Sequence, residues 1–339
     1  MLANDLHISS LSTLPESARR EILSALTEAE ADALLHAWTF WARPKQLPPG
    51  HPRSETPDRT DWRYWLVMAG RGFGKTRTGA EMVRQWVKHY PLVNLIGATA
   101  DDLRDIMVDG ESGILAICPS DERPEYRPSK RWLEWPNGAR SLLFTAAEPE
   151  RLRGKQHMKL WADELGAWRY AEAWDQAMFG LRLGDNPQAV ITTTPRPTKV
   201  VQDLIKNEHT VITTGTTYEN RANLAAAFYD AIITKYEGTR LGRQELLAEL
   251  LTDVPGALWK RDNIDLLRVR EAPPLMRVVV AIDPAVSVSE DSDETGLVVA
   301  GVGADGHGYV LDDLSLKASP HAWASAAATA YHQHKADRI

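Results

Sequence analysis

The densest chemistry in the sequence lies in residues 68–80, MAGRGFGKTRTGA, where Gly70, Gly72 and Gly74 lead into Lys75 and Thr76. The spacing Ala69-x-x-x-x-Gly74-Lys75-Thr76 is that of a phosphate-binding loop with alanine in place of the first glycine. Backbone amides in such a loop turn inward on an anion. Lys75 would meet the β- and γ-phosphates of ATP as a point charge, and Thr76 would supply a hydroxyl to Mg²⁺. The helix that follows aims its positive end at the same place. A glycine-rich turn before a helix is the competing account. The order of strand, loop, Gly-Lys-Thr and helix argues against it.

A second element must supply acids. MKLWADE, residues 158–164, is an apolar run ending in Asp163 and Glu164. Asp163 would share the Mg²⁺, and Glu164 would polarise the attacking water as general base. By itself the pair could equally be an acidic start to a helix. A third element is ITTTPRP, residues 191–197. A strand ending in small hydroxyls can report the γ-phosphate to its neighbours, although threonine is common in strands for other reasons. Late in the chain VVVAIDP places Asp283 at the end of another apolar strand, where two-metal phosphodiester chemistry would want a carboxylate. Residues 123–159 carry Arg123, Arg127, Lys130, Arg131, Arg140, Arg151, Arg153, Lys155 and Lys159. They read either as a path for a phosphate backbone or as a solvated face.

These residues need a scaffold. Residues 1–40 have helical spacing, and a proline-rich loop follows. Short apolar strands at 65–69, 94–100, 158–162, 189–195 and 210–216 then alternate with helical segments, one of them running from Asp163–Glu164 to about Leu183 and another from Asn223 to Leu251. RWLEWPNGARSLLFTA reads as a hairpin turning at Asn137–Gly138. Alternating strands and helices predict an α/β fold with a parallel sheet covered on both faces. The expected domains are an N-terminal helical segment with its loop over 1–60, a phosphate-loop domain with lid over 61–255, a linker over 256–275, and a further α/β domain over 276–339.

Bulk properties narrow the class. A chain of 339 residues, 43% hydrophobic and 25% charged, predicts an ordinary globular protein of two domains. No apolar run nears the roughly 20 residues of a membrane helix, and the N-terminus lacks a secretory pattern. One cysteine, Cys118, excludes a disulfide framework and suggests a reducing compartment. A net charge of −7 argues against a nucleic-acid coat but leaves room for a local basic path.

Taken together, the loop, LRGK, LWADELGAW, TTTPRP, GTRLGRQELLAELL and AIDPAV with DETGLVVAG resemble the large terminase subunit of tailed bacteriophages, prophages and gene transfer agents. The resemblance runs from about Trp41 to Ile339. It implies a P-loop ATPase that drives double-stranded DNA into a procapsid, followed by a ribonuclease-H-like, Mg²⁺- or Mn²⁺-dependent endonuclease. It implies that Arg71 senses the γ-phosphate, a task that a planar guanidinium suits. Arg153, with Arg151 its nearest competitor, would act on a neighbouring subunit's ATP in a ring. Gln46 would read adenine, and Thr193 and Thr194 would couple hydrolysis to movement. Asp283 would be the first nuclease ligand and Asp293, with Asp291 as substitute, a second. Two further nuclease acids of the family would fall beyond Ile339, so weak cutting is the expectation. Implied partners are DNA, the portal, a small terminase subunit and copies of the chain, all in the host cytoplasm. A helicase or repair ATPase, or an inactive prophage remnant, are the alternatives.

Overall fold

The computed structural model describes residues 13–251, 261–285 and 294–339. The chain divides into two compact units, Met1–Thr252 and Asp253–Ile339. The first is built on an eight-stranded sheet in the order β3-β4-β5-β2-β6-β7-β1-β8. Its strands are β1 (Tyr64–Ala69), β2 (Val93–Gly97), β3 (Glu125–Arg127), β4 (Trp132–Glu134), β5 (Arg140–Thr145), β6 (Lys159–Asp163), β7 (Gln188–Thr193) and β8 (Thr210–Gly215). The six strands from β5 to β8 in that order run parallel, and β4 and β3 extend the edge antiparallel.

The run of apolar residues in each central strand follows from burial on both faces. Trp65 and Val67 join one core with Leu95, Trp161 and Val83. Leu66 and Met68 point the other way, into a second core with Ile96, Leu160, Ile191 and Val201. Alternation along each strand therefore feeds two hydrophobic layers. The parallel arrangement also brings the C-terminal ends of β1, β6 and β7 to one edge, the usual place for a ligand in an α/β sheet.

Several expected elements differ in extent. Among the described residues the N-terminal helical run is three helices, Glu16–Ser24, Glu28–Leu35 and Trp38–Trp41. Thr27 breaks it by capping the second: its hydroxyl accepts from the Glu30 amide, and Glu30 accepts from the Thr27 amide. Residues 1–12 of that run lie outside the described residues. The helix expected directly after Asp163–Glu164 is a 3-10 turn, Leu165–Ala167, and the α-helix begins only at Glu172; Glu164 itself is left-handed at φ 50°. The segment expected to be helical from Asn223 to Leu251 is Ala226–Tyr236 and Arg240–Glu245, divided at Gly238. β3 is an addition; three residues are too few to show a period.

The second unit holds a helix, Arg261–Leu267, inside the segment read as linker. Its sheet is antiparallel in the order β11-β10-β9, with β9 (Leu275–Asp283), β10 (Gly296–Gly303) and β11 (Gly308–Asp313). The helix Pro320–Gln333 covers it through Ala327 and Ala330, which pack with Val280, Leu297 and Val299. Among the described residues no helix is long and apolar enough to cross a membrane.

Candidate nucleotide-binding site

The loop 70–74 joins β1 to the helix Lys75–Trp86. Gly74 sits at φ 98° as the N-cap of that helix, a conformation that costs a side-chain-bearing residue about 1 kcal/mol or more. The Lys75 Nζ donates to the carbonyls of Ala69 (2.9 Å) and Gly70 (3.2 Å). Burial pushes the Lys75 pKa down, and Glu164, Asp163 and Glu245 oppose that shift by their charge.

Asp163 ends β6 in a buried position. Its pKa is raised to about 6, first by loss of solvent and further by the neighbouring Glu164, against the Thr192 hydrogen bond and Lys75. Each threonine of the TTT run ties to this turn. Thr192 accepts from the Trp161 indole (2.8 Å) and donates to Asp163 Oδ1. Thr193 Oγ1 accepts from the Gly166 amide (2.9 Å) and donates to the Thr194 carbonyl (2.9 Å). The Thr194 amide donates to Glu164 Oε1 (3.0 Å). The Trp168 indole closes the turn on the Asp163 carbonyl (2.9 Å). The left-handed backbone of Glu164 is thus held by its surroundings.

A cavity of about 1620 Å³ takes in Gln46, Arg71, Gly72, Gly74, Lys75, Thr76, Asp163, Glu164 and Thr194. Gly70 and Thr193 do not line that cavity. Buried Gln46 places Nε2 3.4 Å from the Thr78 hydroxyl and 3.5 Å from the Gly74 carbonyl, so its amide faces the end of the loop. Arg196 of TTTPRP and Glu245 also line the cavity. Sequence reading passed over Thr192, Arg43 and Glu245. Thr192 was in view as the first hydroxyl of the run. Arg43 and Glu245 reach the loop across 30 and 174 residues of chain, with no local signal.

Arg153 lies elsewhere. It is exposed, 3.3 Å from Glu150, in a groove of about 580 Å³ with Lys130, Arg131, Arg151 and Lys155. Most arginines of the basic cluster are paired: Arg127 and Arg140 with Glu134, and Arg131 and Arg151 with Glu148. Lys159 does not belong to any exposed path. It is buried in β6, where its Nζ donates to Asn186 O (2.6 Å) and Gln188 Oε1 (2.7 Å) and lies over the rings of Tyr90 and Trp86. Aromatic faces and carbonyls host an ammonium there that the sequence presents as one more surface charge.

In the second unit Asp283 is exposed at the end of β9, opposite Gly296. Asp291 and Asp293 lie outside the described residues. Among the described residues no three His, Cys, Asp or Glu side chains converge as a metal site.

Residues 66–266, more than half of the chain, match the family model described as terminase large subunit, T4likevirus-type, N-terminal. Among solved structures, the large terminase of a thermophilic bacteriophage in complex with ADP aligns with a TM-score of 0.51 at 12% identity, covering 91% of this chain and 81% of that one. The HK97 bacteriophage large terminase aligns with a TM-score of 0.49 at 14% identity, covering 83% and 66%. At such identities the likeness is one of fold, and only the first is close enough to argue from. No curated protein matches the sequence.

Proposed function

This chain belongs to the terminase large-subunit family, and we propose that it is the ATPase of a motor that moves double-stranded DNA into a viral procapsid. The observation that carries the reading is the one cavity shared by Lys75, Thr76, Asp163 and Glu164. ATP enters with its phosphates against the loop amides and the N-terminus of the helix Lys75–Trp86. Lys75 lies beside them as the nearest buried cation. Glu164 takes a proton from the attacking water, whose oxygen bonds to the γ-phosphorus. The bond to the bridging oxygen breaks, and ADP leaves with that electron pair. Arg71 adds charge on the γ-phosphate side.

The donor set fits Mg²⁺. Thr76 and Asp163 offer hard oxygens, and the raised pKa of Asp163 marks a buried carboxyl that a cation would return to its ionised form. Bound there, the ion would neutralise charge on the phosphates.

The Thr194 amide on Glu164 supports a coupling role for Thr193 and Thr194, since movement of β7 would move the base. Gln46, facing the loop end, holds the loop and reads the adenine edge. Arg153 serves a neighbouring subunit's ATP in a homo-oligomeric ring, a use that fits its distance from its own cavity. The groove around it offers the DNA backbone Lys130 and Lys155. The portal and a small terminase subunit complete the partners, and the host cytoplasm is the place of work. Asp283 and Asp293 are proposed as ligands of Mg²⁺ or Mn²⁺ in a ribonuclease-H-like endonuclease.

The test is ATP hydrolysis by the purified chain alone, with double-stranded DNA, and with DNA and procapsids. Stimulation that requires both additions is expected. Stimulation by DNA alone would favour a helicase or repair ATPase, and no hydrolysis under any condition would contradict the proposal.

A further inference from the structure

Among the described residues, four cationic side chains line the cavity, and three of them are held by the protein itself. Lys75 donates to the carbonyls of Ala69 and Gly70, Arg71 pairs with Glu245 at 2.7 Å, and Arg77 pairs with Glu81 at 2.7 Å. The fourth, Arg196, is exposed, and its side chain has no hydrogen bond or ion pair among the described residues. Asp163 and Glu164 share the cavity with it but are engaged elsewhere, by the Thr192 hydroxyl and the Thr194 amide. The mount of Arg196 is stiff. Pro195 has its φ fixed by its ring, and Pro197 biases Arg196 toward extended backbone. The Arg196 carbonyl accepts from the Thr198 amide (2.8 Å), and Thr198 caps the helix Lys199–Lys206. Gly166 approaches so closely that a Cβ there would stand 3.1 Å from the Arg196 Cβ and 2.8 Å from Thr193 Oγ1. The stem of Arg196 therefore starts against the turn that carries Glu164. In the sheet β7 lies between β6 and β1, with Thr192 beside Asp163 and Thr193 beside Met68. A residue just past the end of β7 thus leaves the sheet between the acids and the phosphate loop.

We propose that Arg196 is a catalytic residue that contacts the terminal phosphate of a nucleoside triphosphate bound in its own chain. This rests on reading the cavity as an ATP site. A guanidinium fork meets phosphate oxygens through parallel N–H···O bonds, which a lysine cannot reproduce. This fork is ready for them, because it has no carboxylate to give up first. As the water oxygen bonds to the γ-phosphorus and the bond to the bridging oxygen breaks, charge on the three remaining γ-oxygens is met from the β7 side. A diphosphate offers nothing at that place, so Arg196 separates ATP from ADP.

The experiment uses the wild type, Arg196→Ala and Arg196→Lys. The affinities of ATPγS and ADP are measured by calorimetry on the chain without DNA, and single-turnover ATP hydrolysis is measured with DNA and procapsids. Arg196→Ala should weaken ATPγS by about five-fold or more and ADP by less than about two-fold. It should slow hydrolysis by about 100-fold or more. Arg196→Lys should recover part of the affinity and little of the rate, since the charge returns without the fork. Equal weakening of both nucleotides would overturn the proposal by making Arg196 a structural prop. A normal rate in Arg196→Ala would overturn it too. Unchanged nucleotide affinities with a lost rate would assign the side chain to DNA instead and overturn it likewise. A wild type that binds neither nucleotide would sink the reading of the cavity itself, whereas the other failures remove only the role of Arg196.

Discussion

Two apolar strands of this chain end in aspartate, and the structure treats them differently. β6 ends in Asp163 inside the large sheet, where Thr192 of β7 donates to its carboxylate and Thr194, just past β7, donates to Glu164. β9 ends in Asp283 on a three-stranded sheet, and the carboxylate is exposed. In sequence LWADE and VVAIDP look like equivalents. What separates them is their neighbours: a parallel strand on each side can supply ligands from its own C-terminal end, whereas β9 pairs antiparallel with β10 and meets that strand's beginning. A strand-end acid becomes a site when several strand ends meet, and β1, β6 and β7 meet.

The contrast can be broken most severely at the loop. Lys75→Ala should weaken ATP binding by about 100-fold or more, because the charge facing the phosphates is lost inside a half-closed cavity. Equilibrium binding of a fluorescent ATP analogue would show it, and unchanged affinity would dissociate the loop from the cavity.

Buried groups of the large sheet should also give it a pH limit. His157, against Asn94 at 2.7 Å, has its pKa lowered to about 4 by burial, from 6.5. The folded protein holds the neutral ring. Stability from this residue is therefore complete above pH 6.5 and is lost as pH falls from 6.5 toward 4, by about 3 kcal/mol in all. Urea unfolding at a series of pH values should show a steeper decline for the wild type than for His157→Gln. Parallel curves would remove His157 as the cause.

Thr192→Val keeps the shape of the side chain and removes the hydroxyl between Trp161 and Asp163. Two buried groups then lose a partner, at a cost of about 1–3 kcal/mol, and Thr192→Ser should restore most of it. Unfolding midpoints measure this. Asp283→Ala should change stability by less than about 0.5 kcal/mol, the range for exposed positions, and a larger loss would show that the second sheet depends on its acid.

The legible and illegible parts of the molecule follow the range of the interactions. Strands β1, β2, β6 and β7 show as apolar runs because burial on both faces writes itself into composition. The phosphate loop shows because its geometry is local: φ 98° at Gly74 and a helix that starts at Lys75. Thr27 and Glu30 broke the first helical run with a cap that was readable in principle. Lys159 was misread as a surface charge, because its rings and carbonyls come from residues 86, 90, 186 and 188. Glu245 was invisible for the same reason. Its ion pair with Arg71 depends on the segment folding back 174 residues to the loop.

The central claim is that Glu164 is the base of an ATPase centred on the cavity at the ends of β1, β6 and β7. Single-turnover hydrolysis of ATP by Glu164→Gln, with binding measured on the same sample, tests it most directly. The account predicts ATP affinity within about three-fold of wild type and a rate lowered by about 100-fold or more. Hydrolysis at the wild-type rate by Glu164→Gln would contradict it.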